Sequence, residues 1–252
     1  MSSKKSIRRW FRAGYGMFET RVNRAEFLDS ADCDPQLAST SYRFMRLVNR
    51  FAGGTRAVRN FLAEEISRCE HDRPIKVLDI GCGTCDIPLA LAKWAQKKSR
   101  RIEFTCIETN ETALKMAAKS IEKNNCDSIE LKNEDILGFH PQQRFDYAVG
   151  SMFFHHFEDD QILGIIEKLR SYVLRSVLIN DLWRNSIGYM SCLCLVCSLH
   201  KGLKHDALLS VRKGFKPGEL RRLLSRIDDA NAIVTIQNFS RLTAAIRFNQ
   251  RD

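Results

Sequence analysis

The pattern of apolar and polar positions changes character once along the chain. In the first 72 residues, Ile7, Trp10, Phe11, Tyr15 and Phe18 recur near the spacing of one helical face, as do Phe44, Leu47, Val48 and Phe51. The stretch "AGG" (52 to 54) breaks that run, and a third helix is expected through Phe61 and Ile66. From Ile75 onward, short apolar runs alternate with helix-length stretches, the signature of parallel βαβ units. Strands are predicted at 75 to 80, 103 to 108, 128 to 132, 145 to 150 and 176 to 181, with helices near 87 to 97, 111 to 123, 160 to 171 and 217 to 226. The runs "AIVTIQNF" (232 to 239) and "LTAAIRF" (242 to 248) lie too close together for a parallel crossover and should pair as an antiparallel hairpin. The expected organisation is a helical cap over 1 to 72 and an α/β domain over 73 to 252. The stretch 183 to 216, long for a strand-to-helix connection, is read as a lid insertion.

Composition narrows this picture. A chain of 252 residues, 44% hydrophobic, can bury a full core. The longest apolar candidate, Ile187 to Leu199, is shorter than the roughly 18 residues of a spanning helix and is interrupted by polar positions. The N-terminus is basic without an apolar stretch, so no secretory signal is read and a cytoplasmic location is expected. Nine cysteines then read as free thiols. The CxxC pairs Cys82/Cys85 and Cys194/Cys197 are taken as small buried hydrophobes, with no metal expected.

The net charge of +10 is concentrated in "KKSIRR" (4 to 9), "KKSRR" (97 to 101) and "RKGFK" (212 to 216). It suits nucleic acid, anionic lipid or an acidic protein without choosing among them. Residues 4 to 18 set Ile7, Trp10, Phe11 and Phe18 beside Lys4, Lys5, Arg8, Arg9 and Arg12, the make-up of an interfacial helix, which raises peripheral membrane contact as an expectation.

The chemistry begins at "VLDIGCGTCDIP" (77 to 88), a strand, a glycine turn and a helix start. Ligands of parallel sheets bind outside the carboxyl ends of the strands, and this loop lies there. Gly81 and Gly83 let backbone come close to a ligand, and Asp79 stands just ahead of the turn. Glu108, at the end of the second strand, can accept two hydrogen bonds from ribose hydroxyls. A dinucleotide fingerprint would need glycine where Asp86 stands, and a carboxylate there opposes a diphosphate. Cys85 occupies a position where glycine is more usual: it packs quietly if its φ is negative and is strained if its φ is positive.

"VLDIGCGTCD", "FTCIETN", "NEDIL" and "FDYAVGSMFFHHF" follow one another in the order found in class I S-adenosylmethionine-dependent methyltransferases, and residues 75 to 250 resemble that class. The segments 26 to 58 and 205 to 220 resemble a bacterial subgroup associated with type III polyketide or lipid biosynthesis. The resemblance implies a Rossmann-like fold with a mostly parallel seven-stranded sheet and an antiparallel C-terminal hairpin. It implies S-adenosylmethionine as cofactor, held by Asp79, Gly81, Cys82, Gly83, Glu108, Thr109, Asp135, Ile136 and Ser151, with Asp135 and Ile136 at the adenine.

Candidates for removing an acceptor proton are His155 and His156 after the fourth strand, and His205 beside Asp206 if that pair folds back over the pocket. Asp181 ends the fifth strand; Arg184, beyond it, is read as a salt-bridging or capping residue. The expected function is methyl transfer to a small, hydrophobic acceptor (phenolic, polyketide or lipid-linked), with oxygen marginally favoured over carbon and an acidic acyl carrier protein as a possible bearer. The alternatives are a non-catalytic scaffold on the same fold, kept open by Cys85, and a nucleic-acid methyltransferase. The charge suits the latter, but "GSMFFHHF" and the absence of an RNA-binding module speak against it.

Overall fold

The computed structural model describes residues 16–30, 32–68, 73–238 and 240–249. Helices α1 (Pro35–Phe51) and α2 (Gly54–Ser67) precede β1 (Ile75–Ile80), α3 (Asp86–Lys97), β2 (Ile102–Glu108), α4 (Glu111–Lys123), β3 (Ile129–Asn133) and β4 (Phe145–Ser151). Then follow α5 (Asp159–Arg170), β5 (Val173–Leu182), α6 (Ser186–Val196), α7 (Lys201–Lys213), α8 (Pro217–Leu224), β6 (Ala230–Asn238) and β7 (Arg241–Phe248). Short 3-10 turns lie at Phe27–Asp29 and Phe154–His156.

The seven strands form one sheet in the order β3-β2-β1-β4-β5-β7-β6. β1 to β5 are parallel, β7 runs antiparallel to β5, and β6 pairs antiparallel with β7. The chain steps one way from β1 to β2 and β3 and the other way to β4 and β5, so the strand order reverses at β1/β4 and opens a crevice at their carboxyl ends. Parallel strands covered on both faces read as continuous apolar runs, which is why β1 and β4 carry so few polar residues. One face packs Leu78, Ile80, Ala148 and Ile179 against Ile162, Ile166 and Leu220 of α5 and α8. The other packs Val77, Phe104 and Tyr147 against Val58 and Leu62 of α2 and Leu91 of α3.

The insertion between β5 and α8 is a helical hairpin, α6 and α7, whose two ends meet. Trp183 and Phe215 form an isolated parallel bridge, Phe215 N–H donates to Leu182 O at 2.9 Å, and Arg184 N–H donates to Phe215 O at 2.9 Å. Arg184 is buried and clamps this junction. Its guanidinium donates to the carbonyls of Phe18, Glu19 and Gly214 and, at 2.6 and 2.7 Å, to both carboxylate oxygens of Glu219.

Two expectations need amending. Cys194 and Cys197 are exposed rather than buried, because α6 is apolar all round and turns part of that surface, with Ile187, Met190 and Leu195, to solvent. In α1 the side turned inward is Ala38, Ser41, Tyr42 and Asn49, while Leu47 and Phe51 of the apolar stripe face outward. The interfacial stripe of residues 4 to 18 lies outside the described residues except for its end, where Phe18 is buried. No described helix is long and apolar enough to cross a membrane.

Candidate active site at the carboxyl ends of the strands

The glycine loop is tied to β2 at its first turn: Gly81 and Cys82 N–H both donate to Ile107 O, at 2.9 and 3.2 Å. Gly81 has φ +63°, and a Cβ there would overlap the Phe153 ring; Gly83 has φ +54°, and a Cβ there would sit 3.7 Å from Tyr42 of α1. Both positions therefore favour glycine by backbone conformation, and the first also requires it by space. Cys85 has φ +55° as well, so it carries the left-handed strain of about 1 to 2 kcal/mol. Its thiol is fully buried 3.5 Å from that of Cys82, and Cys106 from β2 completes a group whose sulfurs lie within 4.8 Å of one another. Contacts with Cys106 and Cys82 draw the Cys85 thiol down to about 5 against the effect of burial.

Asp79 is buried at the end of β1, and its carboxylate finds no hydrogen-bond donor among the described residues. Burial, then the neighbouring Cys85, Asp86 and Glu108, push it well above the usual carboxylate range. A buried carboxylate without a donor is costly unless a cation completes it, and the amino group of a bound amino-acid moiety is such a cation. Glu108 holds the loop open: Oε2 accepts Gly83 N–H at 2.9 Å, and Oε1 accepts the N–H of Thr109 at 2.9 Å and of Asn110 at 3.0 Å. An ionised carboxylate offers about four lone-pair sites, so a ribose hydroxyl can still be accepted.

The loop after β3 is placed differently from the others. Asp135 is exposed and accepts Leu137 N–H at 2.9 Å, whereas Ile136, expected at the adenine face, is buried in the core with Phe139 and Phe145. Ser151 ends β4, and its Oγ accepts Asn180 Nδ2–H at 2.8 Å. Tyr42 was not singled out from sequence; its phenol is pushed up first by burial and then by Glu108, which places α1 over the loop.

On the acceptor side, His155 is buried and oriented by Asp181. Its backbone N–H lies 3.1 Å from Oδ2 and its Nδ1 lies 2.7 Å from Oδ1. Burial would raise Asp181, but the charge and hydrogen bond of His155 outweigh it and hold the carboxyl below its usual value. Its Nε2 is buried without a hydrogen bond, 3.8 Å from Glu26 Oε1. His156 sits beside Asp29, Nδ1 to Oδ2 3.2 Å, and Lys213 Nζ reaches the same Nδ1 at 3.1 Å. His205 is not brought to the crevice. It stacks on Phe27, 4.9 Å between ring centroids, while Asp206 accepts the N–H groups of Phe27 and Leu28 at 3.0 Å each and anchors the turn there.

Two open surface clefts, one lined by Lys76, Ile102, Ser128 and Gln143 and the other by Arg73, Asp146 and Tyr172, sit at the amino ends of the strands, away from all these groups.

Comparison with known proteins agrees with this geometry. Residues 77–175 match the family model described as a methyltransferase domain. The plantazolicin methyltransferase BpumL, solved with a triazolic desmethylPZN analog and SAH, is 17% identical with a TM-score of 0.67, covering 89% of this chain and 93% of its own. The plantazolicin methyltransferase BamL is 16% identical with a TM-score of 0.63, at 84% and 91% coverage. Magnesium protoporphyrin IX methyltransferase (ChlM) from Synechocystis PCC 6803, with bound SAH, is 13% identical with a TM-score of 0.57, at 86% and 100% coverage. No curated protein matches the sequence. Fold, glycine loop and the match over residues 77–175 together define a methyltransferase domain built on the class I fold.

Proposed function

We propose that the chain methylates a small, hydrophobic acceptor of phenolic, polyketide or lipid-linked character, at oxygen in preference to carbon. The observation that carries the cofactor half is the buried, donorless carboxylate of Asp79 behind a glycine loop that Glu108 braces. Asp79 would take the cofactor's amino group. Gly81, Cys82 and Gly83 would offer close backbone, Glu108 and Thr109 would meet the ribose, and Asp135 would meet the adenine edge. When bound, the cofactor supplies a methyl group on a sulfonium; the chain's own residues align the acceptor and exclude water.

Oxygen is favoured because His155, fixed by Asp181, presents an unbonded Nε2 that can accept a hydroxyl proton once Glu26 gives way. The segment bearing Glu26 is thus part of the acceptor's path. An acidic acyl carrier protein as bearer fits the exposed basic stretch at 97 to 101, whereas Lys213 of 212 to 216 is buried against Glu26 and Asp29.

Calorimetric titration with S-adenosylhomocysteine tests the reading, with Gly81→Ala and Glu108→Ala as controls. Wild type should bind, and Glu108→Ala should weaken binding at least about tenfold, since each hydrogen bond to a charged group contributes about 1.5 to 3 kcal/mol. Folded wild type that does not bind would leave a scaffold instead. Steeply salt-dependent binding of RNA or DNA would favour the nucleic-acid alternative.

A further inference from the structure

Beside the carboxyl end of β5 lies a buried polar cluster that meets the residues expected at the cofactor only through Ser151, which accepts Asn180 Nδ2–H. Arg241 opens β7, opposite Leu182 of β5, and is fully buried. Only Nη2 of its guanidinium is bonded, to Asn49 Oδ1 at 3.0 Å and Met152 Sδ at 3.2 Å; Nε and Nη1 have no partner among the described residues. It forms no ion pair within 4.0 Å among the described residues, and burial lowers it to about 10 with Asp181 and Asp86 as the more distant compensating charges. Asn180 stands next to it, its Nδ2 donating to Gly54 O at 3.2 Å and its Oδ1 buried and unbonded.

The guanidinium abuts the amino end of α2. A Cβ on Gly54 would lie 3.0 Å from Arg241 Cζ and 3.1 Å from Nη2. Helix α2 is 14 residues long, its N-cap is Gly53, which provides no capping side chain, and its first internal bond is Ala57 N–H to Gly53 O. The N–H groups of Gly54, Thr55 and Arg56 precede that bond and carry the positive end of the helix dipole. A buried cation pressed against a positive helix end, with two of its own donors unbonded, is an arrangement that an anion completes.

We propose that Arg241 and the amino end of α2 form a seat for a carboxylate on the acceptor, so that the substrate is a hydrophobic acid rather than a neutral molecule. The strand that carries Arg241 points to the acceptor, while the guanidinium reaches back toward the glycine loop through Asn49, whose amide donates to Asp86 at 3.3 Å. Asp79, Gly81 and Glu108 lie at the ends of β1 and β2, whereas Arg241 is on β7, three strand spacings, roughly 14 Å, beyond β1. Arg241 pairs with Leu182, the chain neighbour of Asp181, on the sheet face opposite Asp181 and His155, and its guanidinium reaches Met152 just after β4. Met152 is itself held at φ +54°. This assignment rests on the methyl-transfer reading above.

The test is titration and thermal melting with benzoate, against benzamide as the neutral control, in the presence and absence of S-adenosylhomocysteine. Wild type should be stabilised by benzoate and not by benzamide. Arg241→Met should lose the benzoate response, keep S-adenosylhomocysteine affinity within about threefold, and melt no lower than wild type, because it removes a buried unpaired cation. If Arg241→Met fails to fold, Arg241→Lys serves in its place, with a benzoate affinity at least about tenfold weaker than wild type. An equal response to benzoate and benzamide, no response in wild type, or a benzoate response kept in both variants overturns the proposal. A tenfold loss of S-adenosylhomocysteine affinity also overturns it, since the guanidinium would then hold the cofactor's own carboxylate. Failure of wild type to bind S-adenosylhomocysteine is a separate result that sinks the methyl-transfer reading, and the benzoate arm without it still decides whether the seat takes a carboxylate.

Discussion

Cys85 sits in a backbone conformation that glycine would occupy without strain, yet its sulfur is sealed against two others. Cys85→Gly should therefore gain about 1 kcal/mol from relaxed backbone and lose a similar amount of buried surface. The expected net change in denaturant unfolding is within about 1 kcal/mol, with S-adenosylhomocysteine binding kept; a loss above about 2 kcal/mol would make the thiol group a support of the loop. Asp79 predicts the reverse balance. Asp79→Asn should raise the melting temperature, because a buried carboxylate without a donor is removed, and weaken S-adenosylhomocysteine at least about tenfold. Calorimetry in buffers of different ionisation heat should show wild type releasing protons on binding, since its raised carboxyl ionises when a cation arrives. Gly81, Gly83 and Glu108 were legible in the sequence because their chemistry is local to a strand end. The φ of Cys85 was not, since either sign suited the string of letters. Tyr42 and Arg241 were not, because each reaches the crevice from an element far away in sequence.

The turn at Phe27–Asp29 is held by charges that titrate. Asp206 caps it, Lys213 lies 3.2 Å from Glu26 and 3.6 Å from Asp29, and His156 meets Asp29. Burial acts against both charged forms, but Asp29, with Glu26, raises His156, and His156 with Lys213 lowers Asp29 to about 2. A raised histidine gives stability that is full below its unfolded value near 6.5 and is lost as pH rises through its higher folded value. A depressed carboxyl gives stability present above its unfolded value near 3.8 and lost only as pH falls toward about 2. Docking of the turn should thus be firmest between those two unfolded values and loosen on the alkaline side. Hydrogen exchange at residues 26 to 30 should speed up beyond its intrinsic pH dependence as His156 deprotonates, and His156→Gln should abolish that excess. At this scale the strands and helices of the α/β part were legible from periodicity. β5 begins at Val173, earlier than its apolar core suggests, because Val173 pairs with Phe145. The inward face of α1 was misleading because Ala38 and Tyr42, rather than the larger apolar residues, pack on Ala113 of α4 beside the glycine loop.

The whole molecule is a sheet with its chemistry confined to one end, and both flanking additions meet that end: α1 over the glycine loop, the hairpin α6–α7 beside the turn at 26–29. That arrangement was legible as far as alternation, strand count and the final hairpin reached, and no further, since the sequence does not state what an insertion rests on. Arg184 joins the parts, linking the segment at Phe18 and Glu19, the base of the insertion at Gly214 and helix α8 at Glu219. Arg184→Ala should cost about 3 kcal/mol in denaturant unfolding, by leaving three carbonyls and the carboxylate without their donor. Because Trp183 and Phe215 lie side by side, everything between them begins and ends at one point of the sheet. A segment attached at a single point can lengthen, shorten or be exchanged without shifting the register of any strand. Its residues can change while Asp79, Gly81 and Glu108, at the ends of β1 and β2, keep their places.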